Sequence, residues 1–120
     1  MKIEGTRTTP SVNIENGMFE IKGRSIPEDS HDFYSPITHV IQEYIKNPAE
    51  TTELHFQLEY INSGSKKYIT NILNYFNEMY LHGKEVQVFW NYDSDDESML
   101  ELGDDLKAMV QLPFHIIELR

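Results

Sequence analysis

The sequence predicts an α/β fold with a mixed sheet, in the order β-β-α-β-α-β-α-β, and with its helices mostly on one sheet face. Three observations carry this. From residue 53 onward, stretches with an apolar period of two alternate with stretches of helical period, which implies parallel strands joined by right-handed crossovers. Asn16-Gly17 separates two short alternating runs, and this dipeptide is a strong hairpin signal because both turn positions need positive φ. The N-terminal hairpin is therefore antiparallel and the rest mainly parallel. Finally, residues 53–61 put Leu54, Phe56, Leu58 and Tyr60 on one side and Glu53, His55, Gln57 and Glu59 on the other. A strand with helices on both faces would be apolar throughout.

In order, residues 1–11 read as a polar lead-in with room for a short strand at 2–4. Val12 and Ile14, then Phe19 and Ile21, are the inward positions of the hairpin over 11–15 and 18–22. Residues 23–30 form a polar connection. The following helix carries Phe33, Ile37, Val40, Ile41, Tyr44 and Ile45 on one stripe. Either Ser30 caps it and Pro36 lies inside, or Ser35 caps it and Pro36 takes the first helical position. Residues 53–61 are a strand. A second helix over 65–82 presents Ile69, Ile72, Leu73, Phe76, Met79 and Tyr80, and Gly83 ends it. A strand over 85–91 turns Val86, Val88 and Trp90 inward and Gln87 and Phe89 outward. The last helix, about 95–111, aligns Met99, Leu102, Leu106 and Met109. Pro113 stops it, and 114–119 is the closing strand.

A chain of 120 residues is expected to form one domain, residues 1–120. Ten basic and twenty acidic residues give a net charge of −10. That balance argues against nucleic acid and against anionic membrane as partners. The chain has no cysteine, which removes disulfides and thiolate metal sites. The opening residues lack an apolar signal core and no apolar run reaches the ~20 residues of a membrane span, so a cytoplasmic protein is expected, with no cofactor.

The most informative stretch is Asn62-Ser63-Gly64-Ser65-Lys66-Lys67, where a strand gives way to a helix. Unpaired N–H groups and the positive end of the helix dipole would receive a phosphate well there. Ser65 can cap the helix. Lys66 and Lys67 oppose the dipole in the first turn, a local inconsistency of the kind that marks functional sites. A phosphate on Ser63 would turn that penalty into a gain. Ser63 is thus the first-choice phosphorylation site and Ser65 the second, with Asn62, Gly64, Ser65, Lys66 and Lys67 as the turn and partner surface. The plain alternative is an ordinary turn with exposed lysines. A second candidate is the acidic run after residue 91, where Asp93, Asp95 and Asp96 could serve a Mg²⁺-dependent phosphotransferase or phosphatase. Those acids suit better the cap and first turn of a helix, with Asp93 or Ser94 as cap and Asp95, Asp96 and Glu97 at its positive end. The five histidines show no ligand spacing, and neither a P-loop nor a hydrolase elbow occurs. No residue is assigned a catalytic or metal-binding role. A third reading is an unmodified interaction module working through the bare sheet face, which leaves room for a dimer.

The chain resembles the SiaC family of bacterial regulatory phosphoproteins from end to end. The resemblance rests on Gly5-Thr6, Thr8-Thr9-Pro10, Gly23-Arg24-Ser25-Ile26-Pro27-Glu28, Tyr60-Ile61-Asn62-Ser63-Gly64-Ser65-Lys66 and Val88-Phe89-Trp90-Asn91-Tyr92-Asp93. It implies a STAS-like two-layer domain related to the anti-sigma-factor antagonists. It also implies reversible phosphorylation by a GHKL-type Ser/Thr kinase (SiaB-like) and removal of phosphate by a PPM-type phosphatase (SiaA-like). The unphosphorylated form would bind an effector such as a diguanylate cyclase (SiaD-like), raising cyclic di-GMP and promoting aggregation or biofilm. Aligned on Asn62, the acceptor falls on Ser63. Many members have Thr there, and Gly64 replaces a more usual small hydroxyl residue.

Overall fold

A computed structural model describes all residues, 1–120. Six strands form one mixed sheet: β1 (Lys2–Ile3), β2 (Ser11–Glu15), β3 (Met18–Ser25), β4 (Thr51–Ile61), β5 (Glu85–Asp93) and β6 (Phe114–Leu119). Three helices, α1 (Ser30–Tyr44), α2 (Ser63–Leu81) and α3 (Glu97–Ala108), connect the last four strands. Spatial order equals chain order, β1-β2-β3-β4-β5-β6. The first three strands pair antiparallel and the rest parallel. This topology has a consequence for the layers. Each crossover steps to the next strand in the same direction, so the right-handed rule sends each helix to the same face. The polar alternation of β4 is the sequence trace of that geometry.

The hairpin turn is as expected, with Asn16 at φ 38° and Gly17 at φ 93°. Gly17 is also fixed by space, because a Cβ there would lie 2.6 Å from the Thr51 carbonyl oxygen. The core between sheet and helices is built on Phe19, Leu54, Phe56, Val88 and Trp90 from the sheet and Ile37, Ile41, Ile72, Leu73 and Phe76 from the helices, each at most 1 % exposed. Phe19 meets both Phe76 and Tyr44 edge to face, at 4.9 Å between centroids. The open face carries Gln87, His55 and Phe89. There His55, Phe89 and His115 stack in a ladder across β4, β5 and β6, at 4.6 and 5.0 Å.

Several boundaries differ from expectation, each for a local reason. β3 runs on to Ser25, which is fully buried rather than part of a polar connection. Neither Ser30 nor Ser35 caps α1; Asp29 does, accepting from the Asp32 N–H at 3.0 Å. Pro36 therefore lies inside the helix, where it leaves the Asp32 carbonyl without its N–H donor. Both residues are exposed, so water can take that place. Tyr34, absent from the expected stripe, is fully buried. α2 begins at Ser63, capped by Asn62 rather than Ser65. α3 is shorter than expected, and Asp96 rather than Asp93 or Ser94 caps it. Three expected core residues, Tyr60, Tyr80 and Met109, are exposed. Asn77 was not expected inside, yet its Oδ1 accepts from the Gln111 and Leu112 N–H groups and pins the approach to β6.

Candidate functional site: the β4–α2 turn

The turn is shaped by how β4 ends. β3 and β4 pair in register through Arg24 and Glu59, after which Ser25 faces Ile61 and Tyr60 is skipped. Tyr60 sits at φ 54°, a conformation that costs a non-glycine residue about 1 kcal/mol. That inversion takes its ring out of the core, to 62 % exposure. The Arg24 guanidinium lies over it, 5.2 Å from the ring centre. Glu59 lies 3.6 Å from Arg24, an exposed pair worth little on its own.

Asn62 follows in extended conformation and serves both sides of the turn. Its Oδ1 accepts from the Ser65 N–H at 2.9 Å, the N-cap bond of α2. Its Nδ2 donates to the Pro27 carbonyl at 3.1 Å, and its backbone N–H donates to the Ser25 carbonyl at 3.1 Å. The two stretches that carry the family resemblance, 23–28 and 60–66, are thereby brought side by side. Gly64 completes the contact. A Cβ on it would lie 2.5 Å from Ser30 Oγ, so its bareness lets the starts of α1 and α2 touch.

The two serines of the turn have opposite environments. Ser63, the first residue of α2, is exposed. Ser65 is 0 % exposed, and its Oγ accepts from Ser25 Oγ at 2.8 Å. Ser25 Oγ also contacts the hydroxyl of Tyr34 at 2.5 Å. Burial pushes the Tyr34 phenol above its ordinary value of 10.0, opposed in part by hydrogen bonds with Ser25 and Ser65. Lys66 and Lys67 are exposed, and the first turn of α2 holds no acid. The end of this helix that carries partial positive charge thus has two further cations and no counter-charge of its own. Beside it, Tyr60, Ile61, Lys66, Asp96, Met99 and Leu102 line a groove of about 340 Å³.

The acidic run is arranged differently. Asp96 Oδ1 accepts from the Met99 N–H at 3.1 Å, Asp93 and Asp95 point to solvent, and no three acids or histidines are grouped to hold a metal ion. The largest cavity, about 740 Å³, lies at the other end of β4 and α2, lined among others by Thr51, Tyr80, Leu81, Val86 and Pro113. No helix is long and apolar enough to cross a membrane.

A mixed sheet with one helical layer, presenting a strand-to-helix turn with one exposed serine, defines a small α/β domain whose most distinctive surface is that turn. The chain belongs to the SiaC family: the family's sequence model, described as SiaC family regulatory phosphoprotein, matches residues 3–119. It is 27 % identical over 118 residues to an uncharacterised protein of Pseudomonas aeruginosa strain UCBPP-PA14, covering 97 % of this chain and 94 % of that one. It is also similar to SiaC of Pseudomonas aeruginosa as crystallised with the diguanylate cyclase SiaD, whose activator that SiaC is. There the TM-score is 0.94 at 26 % identity, over 99 % of both chains. A second structure of SiaC from that organism gives a TM-score of 0.92 at 26 % identity, over 99 % of this chain and 98 % of that one.

Proposed function

We propose that this chain is a non-enzymatic cytoplasmic signalling phosphoprotein, residues 1–120 acting as one SiaC-like domain, with Ser63 as its reversible phosphoacceptor. In this reading a GHKL-type kinase adds the phosphate and a PPM-type phosphatase removes it. The unphosphorylated form binds and regulates an effector of the diguanylate cyclase kind. The observation that carries the reading is the contrast inside one turn: Ser63 is exposed while Ser65 is buried and hydrogen-bonded. In the transfer, Ser63 Oγ bonds to the γ-phosphorus of ATP. The bond to the β-phosphate oxygen breaks, ADP leaves with that electron pair, and the serine proton passes to a base of the kinase.

The electrostatics support both halves of a switch. A phosphate of charge near −2 at the first residue of α2 meets the positive helix end, Lys66 and Lys67, so the modified turn stays folded. The same charge cancels the two lysine charges, so a cationic docking surface loses its net charge in a protein already at −10. An acidic partner surface would then lose that attraction and meet the phosphate at contact distance, enough to change affinity by orders of magnitude. The test is incubation with the cognate kinase and ATP, followed by peptide mass spectrometry. Phosphate is expected in residues 60–66 of the wild type and in none of that stretch in Ser63→Ala. Transfer that persists undiminished in Ser63→Ala would refute the acceptor assignment.

A further inference from the structure

Beneath the turn lies a chain of hydroxyls that phosphoryl transfer to Ser63 does not itself require. Tyr34, Ser25 and Ser65 come from α1, β3 and α2, and all three are 0 % exposed. A serine hydroxyl has one proton to give. That of Ser25 goes to Ser65, so Tyr34 is the donor in its own contact with Ser25. Tyr34 is held in turn by its ring, stacked on Tyr68 at 5.6 Å and met edge-on by Phe33 at 4.9 Å. The hydroxyl of Tyr68 reaches His31 Nδ1 at 2.7 Å, back on α1. Three elements are therefore coupled at the buried oxygen of Ser65, at a depth where an unpaired hydroxyl is costly.

We propose that the Tyr34–Ser25–Ser65 chain selects the phosphorylation site, by holding the Ser65 hydroxyl inside and fixing the first turn of α2 so that Ser63 alone is offered to a kinase. The inference rests on Ser63 being the acceptor. Chemically the two serines are equivalent: either Oγ could form the bond to the γ-phosphorus while ADP departs and a kinase base takes the proton. They differ only in what must break first. Ser65 can react only after its Oγ leaves Ser25 and its N–H leaves Asn62 Oδ1. That amounts to opening the first turn of α2. Tyr34, Ser25 and Ser65 are positioning residues; none of them touches the incoming nucleotide.

Tyr34→Phe is the sharpest probe, because it keeps the stacked ring and deletes only the donor that fixes Ser25 Oγ, leaving the Ser25–Ser65 bond without its anchor. The measurement is the ratio of phosphate on Ser65 to phosphate on Ser63 after treatment with the cognate GHKL-type kinase and ATP, read by peptide mass spectrometry. Wild type should carry phosphate on Ser63 alone. Tyr34→Phe should move about a tenth or more of it to Ser65, the double variant Ser63→Ala/Tyr34→Phe should be modified on Ser65, and Ser63→Ala alone should not. A second arm needs no kinase. Hydrogen exchange at the Ser65 and Lys66 amides of the free protein should quicken about tenfold in Tyr34→Phe. Ser25→Ala should do the same, and serves if circular dichroism finds Tyr34→Phe unfolded. An unchanged site ratio with unchanged exchange would overturn the proposal and leave Ser63 standing as acceptor. Faster exchange in a protein whose wild type accepts no phosphate would overturn the acceptor reading and leave the buried lock.

Discussion

Asn62→Ala is the perturbation whose size can be worked out most directly. Two bonds vanish with the side chain. The N-cap bond to the Ser65 N–H is worth about 1 kcal/mol. The bond from Nδ2 to the Pro27 carbonyl is worth about another 1 kcal/mol, since that oxygen keeps no partner of comparable geometry. A loss near 2 kcal/mol is expected, which in a chain of this length lowers Tm by roughly 8 °C. Asn62→Asp separates the two contributions. Aspartate caps as well as asparagine and suits the helix dipole, but it has no donor for Pro27 and turns a carboxylate towards that carbonyl. It should recover about 1 kcal/mol of the loss and no more. Urea unfolding at pH 7, followed through the buried Trp90, measures both variants. If Asn62→Ala cost less than about 0.5 kcal/mol, or Asn62→Asp unfolded no later than Asn62→Ala, the double role of this side chain would be refuted.

Two further outcomes follow from the same contacts. Gly103→Ala should destabilise by about 2 kcal/mol in urea, although alanine favours the helix by about 1. The new Cβ would lie 2.5 Å from Trp90 Cδ1 and 2.7 Å from Nε1, against a fully buried indole whose N–H donates to the Met99 carbonyl; a more stable variant would contradict this. Alkaline pH should unfold the protein through Tyr34. Its pKa is raised in the fold, so its contribution is intact below 10.0. As pH rises past that value the unfolded chain loses the proton first, and stability falls until the folded pKa is passed. Tyr34→Phe should flatten this limb in unfolding measured between pH 9 and 11, and an unaltered slope would place the effect elsewhere.

The sheet and its single helical layer were legible because their causes are local and periodic. Asn16-Gly17 wrote the hairpin into two residues, and the polar side of β4 announced the bare face. The exposed hydroxyl of Ser63 was legible too, between a strand pattern and a helix pattern. What escaped depends on contacts distant in sequence. Tyr60 follows the alternation of Leu54, Phe56 and Leu58, and no glycine marks the inversion that turns it out. Ser25 reads as part of a polar connection and Ser65 as a helix cap and second-choice acceptor, since the hydrogen bond between them spans 40 positions. Tyr34 falls outside the predicted helical stripe, and its burial depends on the same distant contacts. The α1 cap was not legible because Asp29, one residue before Ser30 and six before Ser35, supplies it, and exposure makes Pro36 tolerable inside the helix.

The central claim is that one side-chain oxygen, loaded with a dianion, decides whether this domain engages its effector. It is tested most directly by titrating a purified diguanylate cyclase of the proposed effector kind with unmodified protein and with protein phosphorylated at Ser63, by calorimetry at physiological salt. Binding should weaken at least about thirtyfold on modification, with Ser63→Asp intermediate. Equal affinity for the two forms would contradict the account.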